Sequence, residues 1–182
     1  MRAEQRLFDL FDDLEQQAEG MQLAEREVAV GELAAGEYAG VSLVARLHGA
    51  RGRAVRVRLW GAGSLQGTLA RVGVDWLQLD DPTGASWLVP AAAVTGVGGL
   101  DRRAISEEAR PVTARLSLRS ALRALAGART EVVVRLLDGG QLEGTLGRVG
   151  QDFVEVVRGG DDGSDSAEAI PLHAVLAVRE QG

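Results

Sequence analysis

Two stretches of this sequence repeat one pattern: residues 55–76 are VRVRLWGAGSLQGTLARVGVDW, and residues 132–153 are VVVRLLDGGQLEGTLGRVGQDF. They align position by position without a gap. Further along, Val89-Pro90 recurs as Ile170-Pro171, after four extra residues in the second copy. So many matches, in the same order and at one spacing, indicate an internal duplication.

Each copy has the composition of short strands joined by glycine turns. In the first copy Val55, Val57 and Leu59 alternate with arginines, which is the pattern of a half-buried strand. Gly67 and Gly144 fall within the second strand of their copies, where the wall of a small barrel must bend sharply. With five strands in each copy, we predict a mainly β protein that contains two bent five-stranded barrels in tandem.

The chain is predicted to have four parts, and a serine is expected to begin a short helix before each barrel, at Ser42 and Ser117. The predicted parts are an acidic amphipathic N-terminal helix in residues 1–37, a first barrel with its leading helix in 38–100, a connector in 101–114, and a second barrel with its leading helix in 115–182.

The N-terminal segment carries an apolar stripe at helical spacing, formed by Leu7, Leu10, Phe11 and Leu14. Such a stripe must be buried somewhere. It packs either on the barrels of its own chain or on another chain, in which case it is an interaction helix. Its many acidic residues exclude a membrane surface as the partner, because a basic polar face would be needed there.

The repeats resemble the Sm-like superfamily, including its LSm and Hfq types. The residues that look like the first motif of this family are Leu136, Asp138, Gly139, Leu142, Gly144, Leu146 and Val149. His173-Ala174 looks like the His-Ala pair of the Hfq-type second motif, although Pro171 and Leu172 replace the Tyr and Lys that precede it in the family. The arrangement is also similar to actinobacterial proteins that have an acidic helix and two such barrels. The resemblance implies Sm-like, SH3-like barrels, RNA binding, and association through exposed strand edges.

The composition excludes several classes of chemistry. The chain has no Cys and only two His, so disulfides, thiolate metal sites, cysteine nucleophiles and most histidine-based catalysis are excluded. No nucleophile, base and oxyanion site can be assembled from its motifs. We therefore expect a non-enzyme without cofactor or metal. With no apolar run long enough to span a membrane, it is expected to be soluble and cytoplasmic.

Charge is divided along the chain into an acidic start, a basic middle and an acidic end. Residues 1–37 carry a net charge of −7, residues 38–153 carry +5, and residues 154–182 carry −4. The ends either regulate anion binding by the middle or simply neutralise it. The candidate nucleic-acid-binding residues are Arg51, Arg53, Arg56, Arg58, Trp60, Arg71, Arg135, Arg148 and His173.

Two functions remain open from the sequence. In the first, these arginines bind the phosphates of RNA and Trp60 stacks on a base, as in a post-transcriptional regulator. In the second, the protein is a scaffold or assembly module without nucleic-acid binding. Its barrels then pair with each other within one chain or in a homo-oligomer, or they bind another protein through their edges.

Overall fold

Each copy of the repeat forms a short helix followed by five antiparallel strands. The computed structural model describes residues 38–159 and 165–181, so the predicted stripe at Leu7, Leu10, Phe11 and Leu14 lies outside the described residues. The elements of the first copy are α1 (Leu43–Gly49), β1 (Ala54–Leu59), β2 (Ser64–Val72), β3 (Trp76–Asp80), β4 (Ser86–Pro90) and β5 (Val94–Gly98). Those of the second copy are α2 (Leu118–Ala128), β6 (Glu131–Leu136), β7 (Gln141–Val149), β8 (Phe153–Gly159), β9 (Asp165–Pro171) and β10 (Val175–Glu180).

The helices begin at the predicted serines. The Ser42 hydroxyl accepts a hydrogen bond from the backbone N–H of Ala45, and Ser117 does the same for Ser120. Each bond satisfies a backbone donor that the first turn of a helix leaves unpaired. Helix α2 includes Gly127 and ends with Arg129 in the left-handed conformation, at φ 52°.

The connector between the copies contains two 3-10 turns, Glu107–Ala109 and Val112–Arg115. It is fixed to α1, because the Arg46 guanidinium donates hydrogen bonds to the carbonyl groups of Leu100 (3.2 Å) and Asp101 (2.7 Å). The backbone N–H of Ile105 also donates to the carbonyl of Ala45, at 3.0 Å. Ser42–Gly182 therefore includes both copies and their connector in one compact unit.

The duplication extends to the pairing of individual residues. In the first copy Leu69 pairs with Leu79, and at the matching positions of the second copy Leu146 pairs with Val156. The pairing of the first strand with the last also matches between the copies, once the four extra residues of the second copy are allowed for. Val57 accordingly pairs with Val97, as Val134 does with Val178. Each position in one copy therefore has a defined structural equivalent in the other.

The prediction of two separate barrels in tandem is wrong, because the structure forms one open antiparallel sheet of ten strands. The strand order is β5-β1-β2-β3-β4-β10-β6-β7-β8-β9. In each copy the five strands form a bent sheet, in which the last strand lies beside the first. A barrel would require β4 to close on β5, but β4 instead pairs with β10 of the other copy. Strands β5 and β9 are left at the two ends of the sheet.

Two hydrophobic cores lie against this sheet, and each core includes one or two residues of the other copy. The first contains Val57, Leu69 and Leu79, which are fully buried. It also includes Ala177 of β10, while Leu88 and Trp76 of the first copy pack in the second core. The copies therefore interlock and cannot separate without exposing both cores. None of the helices in the described part of the chain is long and apolar enough to cross a membrane.

Glycine is required where the second strand of each copy bends. A Cβ atom at Gly67 would lie 2.5 Å from the carbonyl oxygen of Asp80, and one at Gly144 would lie closer still to that of Val157. Replacing either glycine by alanine is expected to lower the free energy of unfolding by about 1–3 kcal/mol, because the backbones must move apart. Denaturant unfolding measures the change.

The control is Gly127→Ala on α2, where an added Cβ meets nothing within 4 Å. Alanine favours a helix over glycine by up to about 1 kcal/mol, so this variant should be as stable as the wild type or more stable. Equal stabilities for the wild type, Gly67→Ala and Gly144→Ala would contradict the steric explanation.

Candidate interaction surface

The junction between the copies is built around Trp87 of β4. Here Arg179 of β10 pairs with Trp87 and Val178 pairs with Leu88. The indole of Trp87 is 6% exposed, and its Nε1 donates a hydrogen bond to Asp81 Oδ2 at 3.0 Å. The only polar atom of this large side chain thus has a partner, which allows the ring to be buried between strands.

Two arginines of the second copy face the Trp87 ring. The guanidinium carbon of Arg135 lies 4.4 Å from the ring centroid, and that of Arg179 lies at 5.7 Å. The Nε atoms of both arginines are buried and have no hydrogen-bond partner. Both guanidinium groups are thus partly withdrawn from water beside the ring, which strengthens a cation–π interaction.

A second contact joins the β2–β3 loop of the first copy to the start of α2. Asp75 Oδ1 accepts a hydrogen bond of 2.6 Å from the backbone N–H of Leu118. Beside it, Trp76 Nε1 donates to the carbonyl of Leu116 at 2.9 Å. Asp75 belongs to the first copy, so its carboxylate caps the helix of the other copy.

The loop that carries Asp81 is held by hydrogen bonds to its carboxylate. The hydroxyl of Thr83 donates to Oδ1 at 2.6 Å, and the N–H groups of Thr83 and Ala85 add bonds of 2.8 and 3.0 Å. These donors and the Trp87 indole lower the pKa of Asp81 to about 2, with the Thr83 hydroxyl as the largest cause. The carboxylate is ionised at neutral pH and orients the indole from the loop.

The predicted nucleic-acid-binding residues do not form a single patch. Arg56 and Arg58 are exposed along one face of β1, and Trp60, which follows the strand, is 62% exposed. Arg53 forms an ion pair with Asp101. Arg135 is half-buried and lies against the ring of Trp87, away from the exposed face of β1 in the sheet order. Three further arginines of the set are exposed elsewhere: Arg51, Arg71 and Arg148.

His173 lies apart from the arginines of β1. It is exposed and lines an open cavity of about 450 Å³ at the junction, together with Asp75 and Pro90 of the first copy and Arg119 of α2. In the described residues 38–159 and 165–181, no three His, Asp or Glu side chains come together as metal ligands would.

Sequence reasoning missed Trp87, although the repeat contained a signal for it. With the four extra residues of the second copy allowed for, Trp87 aligns with Glu168, and the pairs Leu79 with Trp87 and Val156 with Glu168 confirm the equivalence. A large apolar residue in one copy and an acid in the other indicate that the two strands have different surroundings. No protein-family model matches the sequence, and a search of curated proteins finds no similar sequence.

The hydrogen bonds to Asp81 predict an acid-dependent loss of stability. Because the pKa of Asp81 is lowered from 3.8 to about 2 on folding, its contribution is fully present above pH 3.8 and is lost as the pH falls towards 2. In Asp81→Asn this part of the pH dependence should be absent, and in Trp87→Phe it should be reduced because one donor is removed. Thermal unfolding between about pH 2 and pH 5 tests both variants, and identical profiles for wild type and Asp81→Asn would refute the role of these bonds.

Proposed function

We propose that this chain is a non-catalytic assembly module that joins copies of itself head to tail through the two end strands of its sheet. The observation that supports the proposal is the junction inside the chain, where β4 of one repeat pairs with β10 of the other. Strand β9 is the structural equivalent of β4, and β5 is the equivalent of β10. Each chain therefore carries at its ends the same two kinds of edge that it already joins within itself.

The two end strands are suited to such pairing because their outer edges have no partner strand among the described residues. The backbone N–H and C=O groups along an unpaired edge are a template for another strand. Transferring the internal pair Leu88 and Val178 to the equivalent positions of the end strands places Ala169 of one copy opposite Val97 of the next. This register is specific, and it defines which residues would meet.

The arginine-rich face of β1 also fits a protein contact better than an RNA contact. Arg58 is the equivalent of Arg135, which is covered by Trp87 of the other repeat. Arg56 is likewise the equivalent of Val133, which is 8% exposed. The face that the sequence suggested for RNA is thus the counterpart of a protein–protein surface. RNA binding by Arg56, Arg58 and Trp60 is the alternative function that the experiments must separate from assembly.

Engineered cysteines test this register directly, because the chain contains no Cys of its own. Val97→Cys and Ala169→Cys, combined in one chain, are expected to form disulfides between chains under mild oxidation. Directly opposed residues of antiparallel strands have Cα atoms about 4.5–5.5 Å apart, which a disulfide can span. Non-reducing gel electrophoresis should then show a ladder of dimers, trimers and larger species, or a single closed oligomer.

The single-cysteine variants are the matched controls, since a single cysteine cannot link more than two chains. A double variant that remains monomeric at high protein concentration would overturn the proposal. In that case a titration with single-stranded RNA decides the alternative. Binding that weakens with salt, by a log–log slope of about −0.7 per phosphate contacted, would then support an RNA-binding protein.

A further inference from the structure

The end strands carry different side chains from the strands that meet inside the chain. At the internal junction Trp87 of β4 faces Arg135. At the ends of the sheet the equivalent residues are Glu168 on β9 and Arg58 on β1. The internal junction thus pairs an aromatic ring with a cation, whereas the equivalent positions at the ends of the sheet carry a carboxylate and a cation.

We propose that a second copy of this chain is held by an ion pair between Glu168 of one copy and Arg58 of the next, so that assembly is reversible and controlled by ionic strength. This inference rests on the proposed function and specifies its partner, its register and its regulation. It differs from the internal junction, where partial burial makes the cation–π contact less sensitive to salt.

The position of Arg58 supports its part in this contact. Its guanidinium lies over Gly96 of the edge strand β5, with Nη2 3.0 Å from the place where a Cβ of Gly96 would be. Arg58 and Gly96 are paired in the same register as Arg135 and Ala177. Because glycine has no side chain, the arginine can extend across β5 towards the open edge. The structure gives Arg58 no acidic partner among the described residues.

Glu168 is placed to receive a second cation. It already forms an ion pair with Arg158 at 3.1 Å, with both side chains about half exposed, at 48% and 49%. Arg158 is the equivalent of Asp81, which holds Trp87 in the other copy. In the first copy the acid Asp81 orients the ring of Trp87. In the second copy the base Arg158 orients the acid Glu168.

An apolar contact accompanies the ion pair on the same side of the molecule. Leu118 at the start of α2 is 6% exposed and packs in the second core, which also contains Trp76 of the first copy. Its equivalent Leu43, at the start of α1, is 51% exposed. The equivalent of Trp76 is Phe153, which is half-buried. A following copy would cover Leu43 with Phe153, as Trp76 and Leu118 are brought together within the chain.

Charge reversal tests the ion pair. Arg58→Glu and Glu168→Arg are each expected to weaken self-association about tenfold or more, because like charges then face each other. The double variant should recover part of the lost association, since it places the pair in the opposite order, while the arginine at position 168 is repelled by Arg158, the present partner of Glu168. Sedimentation equilibrium of nuclease-treated protein at about 50 mM and about 500 mM salt measures the association, which should be stronger in the wild type at low salt.

Arg123→Glu is the matched control, because it changes the net charge as Arg58→Glu does but lies on the exposed side of α2. It should associate as the wild type does. If the wild type associates but the double variant does not recover, or if salt has no effect, the ion pair is wrong while the assembly function stands. If the wild type and the cysteine pair both remain monomeric, the assembly function itself fails.

Discussion

The rest of this structure depends on the hydrogen-bonded pairing of β4 with β10. A bent sheet of five strands that does not close leaves a polar backbone edge on either side, and such edges must find partners or be protected. Pairing across the repeats satisfies one edge of each copy and brings the two cores together. Leu88 can then pack in the second core and Ala177 in the first. A protein built from one copy alone would leave both residues without the surface that buries them.

The two copies of the repeat differ in sequence at their edge strands. The differences depend on whether the edge is covered within the chain or left open. Where an edge is covered within the chain, the repeat carries Trp87, Leu88 and Leu176, all of which are buried. At the matching open edges it carries Glu168, Ala169 and Thr95, all of which are exposed. An apolar edge in water would aggregate during folding, whereas a charged edge remains soluble until a complementary edge reaches it. The substitutions thus distinguish the edges that are joined within the chain from the edges that are left open.

The local structure was accessible from the sequence, but the connection between the copies was not. Alternation at Val55, Val57 and Leu59 depends on neighbouring residues, and so does the capping of helices by Ser42 and Ser117, so both could be predicted. Whether β4 closes on β5 or pairs with β10 depends on long-range geometry that leaves no periodic signal. For the same reason Arg135 was assigned to a nucleic-acid surface. Its cover, Trp87, comes from another repeat and is visible only once the strands are ordered.

The opposite charges of the two open edges determine the kind of assembly that they could form. Two β5 edges would bring together the Arg58 side chains that lie over them, and two β9 edges would bring together their Glu168 side chains, so like charges disfavour contacts between like edges. Only unlike edges attract, and such heterologous contacts give a ring when the rotation between copies closes and a filament when it does not. Each repeat bends at Gly67 or Gly144, where the close approach of Asp80 or Val157 requires glycine. In the proposed assembly these bends would contribute to the rotation from one copy to the next.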